Sequence, residues 1–190
     1  MPDSDVPADS ASRALDDACS LVMPKLGRRF YGYDSTTLAG VLLELLRKGG
    51  LRLAVAESCT GGLIGARLAA VPGASDVFAG GVICYENASK QRDLNVAESL
   101  LEEFGAVSEP VARAMVDGVC ERFQTDAGVA VTGIAGPGGG SDEKPVGTVW
   151  LAARLRGETR AVCRWFSGKR DEVRKRSAQA GMDLLRQTLK

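Results

Sequence analysis

Apolar residues along the chain recur at two spacings, and the alternation between the two predicts the architecture. From Leu38 the positions Leu38, Val41, Leu42, Leu45 and Leu46 fall three and four apart, behind Ser35 or Thr36 as an N-cap and ahead of Gly49 and Gly50, so a helix with one apolar face is expected. "LRLAVA" then predicts a strand buried along most of its length. A second helix is expected from Thr60 to about Ala70, before Pro72 and Gly73, and "VFAGGVICY" predicts the next strand, with Gly80 and Gly81 marking a bulge or a close approach. Further on, "SEPVARAMVDGVCERF" predicts a capped helix that buries Val111, Met115, Val119 and Phe123, and "AGVAVTG" another short buried strand. "VGTVWLAARL" and "RAVCRWF", joined across Arg156 and Gly157, predict an antiparallel hairpin, followed by a last helix through Val173, Ala180, Leu184 and Leu185. That order predicts an α/β fold, a single three-layer α/β/α sandwich with a mixed, mostly parallel sheet and a C-terminal antiparallel hairpin.

The first 35 residues stand apart. Up to about Arg13 the mix of Pro, Asp, Ser and Ala has too little apolar content to order itself, and the stretch after it predicts at most a short helix ended by Pro24. The expected division is therefore an N-terminal extension over 1–35 and one domain over 36–190. Residues 1–20 carry five Asp against one Arg, which predicts a solvated tail, whereas Gly168 to Lys190 carries seven Lys and Arg against three acidic residues, which predicts a wet helix face.

Composition narrows the function classes. With 24 basic and 24 acidic residues the chain has no global field for a polyanion, and ten aromatic residues offer little for stacking bases, so nucleic acid is not an expected partner. The five cysteines, Cys19, Cys59, Cys84, Cys120 and Cys163, are odd in number and never form a C-x-x-C pair, which fits reduced cytoplasmic thiols better than disulfides or zinc. No export leader and no run of about 18 apolar residues is present, so a soluble cytoplasmic protein without a membrane partner is expected. A homo-oligomer is compatible with all of this and is not fixed by it.

Three stretches fall after the strands, where open α/β sheets bind ligands. The first, Glu57 to Gly62, holds Ser58, Cys59 and Thr60 ahead of two glycines. Its hydroxyls can simply cap the next helix, or its backbone amides can face an oxyanion or phosphate. The chain contains no histidine, so a nucleophilic serine needs another base and Cys59 lacks the partner that would hold it as a thiolate. In the second stretch, "YENASK", Lys90 can serve as that base if a water-poor pocket lowers its pKa by about 3 units, with Tyr85 nearby; a surface charge is the plainer role for such a lysine. The third, Thr132 to Thr148, holds six glycines and two prolines and is either a phosphate nest or a flexible connector. It contains no P-loop pattern, and no G-x-G-x-x-G follows a strand.

Taken together, "AESCTGGLIGARL", "GGVICYENASK", "GAVSEP" and "TGIAGPGGGSDEKPVGTVW" resemble the CinA C-terminal family over about Leu38 to Leu189. Its enzyme members are nicotinamide mononucleotide amidases. The resemblance implies hydrolysis of the carboxamide to nicotinic acid mononucleotide and ammonia, with Ser58, Tyr85 and Lys90 catalytic and with neither metal nor cofactor. Substrate contacts are expected from Glu57, Thr60, Gly61 and Gly62 in the first stretch, the last three supplying an oxyanion hole, and from Thr132, Gly133, Gly136 and Gly138 in the third. Two departures from the family pattern stand out. Many relatives carry a larger preceding domain linked to pyrophosphatase activity, in whose place this chain has a stretch of about 35 residues expected to lack a counterpart, so no pyrophosphatase is expected. Glu86 stands where a small residue is usual, and its charge is expected to favour a protonated Lys90. A catalytically silent nucleotide-binding module is the alternative function. A short-chain dehydrogenase is set aside because its Y-x-x-x-K spacing becomes Y-x-x-x-x-K here.

Overall fold

The computed structural model describes residues 8–189, and the chain divides into two compact units, with the boundary in sequence after Thr36. The first unit contains α1 (Ala8–Leu26), which starts earlier than the composition suggests and runs past Pro24. Apolar residues Leu15, Ala18, Cys19, Val22, Met23 and Leu26 recur three and four apart and favour that helix, while Pro24, in its last turn, removes only one backbone donor. Phe30 and Tyr33 pack edge to face behind it, with centroids 4.9 Å apart. The part of the expected tail before Ala8 lies outside the described residues.

The second unit is the three-layer sandwich. Its helix α2 (Leu38–Lys48) is capped by Thr37, one residue beyond the expected positions, whose hydroxyl accepts from Gly40 N at 3.1 Å. It buries Leu38, Ala39, Leu42, Leu43 and Leu46, a face rotated toward Leu43 and away from Val41 and Leu45. Then follow β1 (Leu53–Glu57), α3 (Leu63–Ala69), β2 (Phe78–Ile83), α4 (Asn87–Leu94), α5 (Glu98–Phe104), α6 (Glu109–Phe123), β3 (Ala127–Gly133), β4 (Thr148–Leu155), β5 (Glu158–Trp165) and α7 (Arg170–Thr188). The short helices α4 and α5 have too few apolar positions to show a period. Ser108, expected to cap α6, donates its hydroxyl to Gly105 O at 2.9 Å instead.

The sheet order is β2-β1-β3-β4-β5. β1 pairs in parallel with both β2 and β3, and β3–β4 and β4–β5 are antiparallel, so only β4 opposes the other four strands. The register slips by one residue between Leu53 and Ala54, leaving Ala79 unpaired beside Gly80, the expected bulge. A Cβ on Gly80 would lie 2.7 Å from the Phe123 ring, so the close approach is real as well. The hairpin turn uses left-handed Arg156 (φ 50°) and Gly157 (φ 89°), the two positive φ angles that a type I′ turn needs.

Alternation along the central strands divides the core. Ala54, Ala56, Ala130 and Ala152 pack with Val111, Met115, Val116 and Val119 of α6 on one face. On the other, Gly181 lets α7 close to within 3.1 Å of the methyls of Val129 and Val131, measured from where its Cβ would stand. Small residues on the α6 side and branched ones on the α7 side let both helices reach the same strands. No helix among the described residues is long and apolar enough to cross a membrane.

Candidate active site

The topology sends four connections to one end of the sheet: the loops after β1, β2 and β3, and the loop after β5. β4 carries the chain away from that end and β5 brings it back, so α7 begins beside the three loops singled out from sequence. There Ser58, Cys59, Tyr85, Asn87, Lys90, Thr132, Gly133 and Arg170, with an apolar wall of Ala106, Val107 and Ala135, enclose a cavity of about 180 Å³. A cleft of similar size, about 190 Å³, lies between α3 and β2, but its walls carry no nucleophile and its one carboxylate, Glu57, is already engaged.

Ser58 follows β1 directly, its N–H donated to Val131 O at 2.9 Å and its side chain nearly covered. Lys90, in the first turn of α4, is 1% exposed, and its Nζ lies 3.3 Å from Ser58 Oγ, 2.9 Å from Cys84 O and 3.4 Å from Tyr85 O. No carboxylate pairs with it among the described residues. Burial lowers its pKa from the ordinary lysine value, and the opposing influence of Cys84, Cys59 and Glu86 does not overcome that. The exposed Glu86 thus acts in the expected sense and loses to desolvation. Cys59, beside the nucleophile, is also buried, which pushes its thiol up to about 12. It is a weak source of thiolate.

Several expected roles change. Glu57 is 1% exposed and does not face the cavity as a substrate acceptor: its carboxylate accepts from Gly62 N (3.0 Å), Ile64 N (3.1 Å) and Gly65 N (2.8 Å), capping α3 in place of the nearby hydroxyls. The amides of Gly61 and Gly62 are consequently not free for an oxyanion, because Gly61 N donates to Ser58 O at 3.0 Å and Gly62 N to Glu57. Among the described residues, the amides of Cys59 and Thr60 meet no acceptor on another residue. The Thr60 side chain is buried, without a partner for its hydroxyl and outside the cavity lining. Tyr85 is 56% exposed, and its hydroxyl meets the Arg170 guanidinium, whereas only its backbone carbonyl approaches Lys90.

The third stretch contributes its root. Thr132 and Gly133 line the cavity, with Thr132 Oγ1 donating to Ala106 O at 2.7 Å. Gly136 acts at one remove, its carbonyl accepting from Arg170 Nη1 at 2.8 Å, and Gly138 is exposed with nothing near it. Arg170 and Asn87 are the polar lining residues that the motifs did not single out. Asn87 was already in "YENASK". Arg170 was within reach of the hairpin: a strand that returns to the ligand-binding end must deliver the start of the next helix there.

Fold and site define an α/β sandwich with a buried serine–lysine pair at the carboxyl end of its sheet. The description CinA C-terminal domain matches residues 35–189, and the chain belongs to that family. It is 50% identical over 181 residues to a CinA-like protein of Gemmatimonas aurantiaca, covering 95% of this chain and 42% of the relative. A CinA-like protein of Desulfotalea psychrophila is 46% identical, with 95% and 44% covered. The chain thus spans less than half the length of these curated relatives. Their alignments take in most of the stretch before residue 35, which corrects the expectation that it has no counterpart. Among solved structures, the competence/damage inducible protein CihA from Agrobacterium tumefaciens superposes with a TM-score of 0.77 at 40% identity, over 80% of this chain and 93% of that one. A CinA superfamily protein from Klebsiella pneumoniae superposes at 0.78 with 33% identity, over 80% and 95%.

Proposed function

We propose that this site hydrolyses the carboxamide of nicotinamide mononucleotide, giving nicotinic acid mononucleotide and ammonia. The observation that carries the chemistry is the buried Lys90 Nζ at 3.3 Å from Ser58 Oγ in a chain without histidine. A neutral amine has two N–H donors and one lone pair. The carbonyls of Cys84 and Tyr85 match the donors, which leaves the lone pair for the proton of Ser58. Ser58 Oγ bonds to the amide carbon as its proton moves to Lys90, and the oxyanion is met by the amide of Cys59, which lines the cavity, as the amide following the nucleophile does in other serine hydrolases. Lys90 then returns the proton to the nitrogen as the C–N bond breaks and ammonia leaves. Water resolves the acyl-enzyme by the same route in reverse.

The substrate's identity rests on the family resemblance. The site is compatible with it in charge and size. Arg170 supplies a cation at the cavity for a phosphate, and Tyr85 acts through Arg170 by orienting it rather than by moving the proton. About 180 Å³ is below the roughly 300–1,000 Å³ of clefts that enclose a whole ligand, so the pyridine carboxamide enters and the ribose phosphate stays at the mouth. Incubating the purified chain with nicotinamide mononucleotide and measuring ammonia tests the proposal: stoichiometric ammonia and acid are expected. Binding without product would make the domain a silent nucleotide-binding module instead.

A further inference from the structure

Arg174 follows Arg170 by one turn of α7 and reaches a different target. Its Nη2 donates to Thr60 O at 3.0 Å. Its acidic neighbour Asp171, 4.0 Å away, is held more closely by Lys175 at 2.6 Å. The Thr60 carbonyl shares a peptide with Gly61 N, which donates to Ser58 O at 3.0 Å. Arg174, that peptide and the Ser58 carbonyl form one line of hydrogen bonds that closes a turn over Cys59 and Thr60. A guanidinium on the carbonyl polarises the peptide and strengthens the donor at its other end. The turn begins with the nucleophile and has the amides of Cys59 and Thr60 at its centre. Gly61 adopts φ +60° there, and Arg174 Nη2 lies 3.5 Å from where a Cβ on it would stand.

We propose that Arg174 is a positioning residue for attack by Ser58: by fixing the Thr60–Gly61 peptide from α7, it holds the Ser58 hydroxyl and the Cys59 amide in a single geometry. It is outside the cavity lining and acts without touching substrate. The proposal rests on Ser58 being the nucleophile and is independent of which amide is hydrolysed.

An alkyl fluorophosphonate separates those two dependencies. Ser58 Oγ forms a bond to phosphorus, fluoride leaves with the P–F electron pair, and the hydroxyl proton passes to Lys90; the mass of the full chain reports the rate. Arg174→Ala is expected to slow labelling by about 10- to 100-fold, the scale of a misplaced nucleophile. Arg174→Gln, which keeps a donor for the carbonyl, recovers most of that loss, and both variants melt within a few degrees of the wild type. In amide hydrolysis kcat falls while KM stays within about twofold. Labelling of Arg174→Ala at the wild-type rate, or a raised KM with unchanged kcat, overturns the positioning role. Should Arg174→Ala not fold, Arg174→Met, which keeps the packing of the stem without a donor for the carbonyl, decides: labelling slowed about threefold or more supports the role, and an unchanged rate overturns it. No labelling of wild-type Ser58 overturns the serine mechanism and this proposal together. Labelling without ammonia release from nicotinamide mononucleotide overturns only the substrate assignment.

Discussion

The loops after β1 and β3 are both rich in glycine, both leave neighbouring strands at the same end, and they serve opposite purposes. In the first, Gly61 and Gly62 adopt left-handed conformations so that their amides can turn inward, to Ser58 O and to the Glu57 carboxylate. The result is a tight, buried turn that presents the nucleophile. In the second, residues 137–143 are exposed, and only the root, from Thr132 to Ala135, joins the cavity. Glycine content reports that a backbone is free to bend. What it bends toward depends on the acceptors in reach, and only the first loop has a buried carboxylate beneath it.

The largest effect should come from the first loop. Ser58→Ala is expected to cut ammonia release by at least ~10³-fold with little change in melting temperature, because it removes only the attacking oxygen. Near-normal turnover would move the nucleophile elsewhere. Lys90→Arg comes next, with a loss of ~10²- to 10⁴-fold, since arginine cannot release its proton at an accessible pH. In the wild type kcat/KM should rise with pH along one limb centred below the ~10.4 of an ordinary lysine, because burial favours the neutral amine and only that form is a base. A limb absent from the wild type, or retained in Lys90→Arg, would assign the proton transfer to another group.

The comparison between the loops is sharpened by one substitution in each. Gly62→Ala places a Cβ at φ +92° and 3.0 Å from Ile83 Cδ1, so a cost of about 1–3 kcal/mol and a melting temperature lower by several degrees are expected. Gly138→Ala meets open space and should stay within about 0.5 kcal/mol of wild type by thermal melting. If the two variants melted alike, the contrast between the loops would fail. Smallest of the effects on activity is Glu86→Gln. Removing a charge that raises the Lys90 pKa should move the limb to lower pH and increase the neutral-pH rate by about twofold, less at high salt.

Much of the sandwich was legible in the sequence because its central strands are continuous apolar runs and its hairpin has a distinct turn. Ser58 and Lys90 were legible as well, through motif resemblance. What escaped has physical reasons. The Glu57 carboxylate reaches forward to amides five to eight residues ahead, a distance no capping pattern describes. Arg170 is 85 residues from Tyr85, and only strand direction brings them together. α1 was legible only as a short helix ended by Pro24, because the residues before Arg13 are too poor in apolar positions to show its start and a proline in the last turn does not end a helix.

The two edges of the sheet end in different ways. On β5, Glu158, Arg160 and Arg164 are exposed, so another strand seeking to pair there would bring its own residues against exposed charges. β2 carries no charge, yet the unpaired Ala79 and the Gly80-Gly81 pair bend it and leave its middle without side chains to zip against. Parallel strands pair slowly because their partners are far apart in sequence, and a forming sheet is then exposed to neighbouring chains. The bulge, described above as a detail of register, therefore also shortens the run of β2 with which a strand of a neighbouring chain could pair.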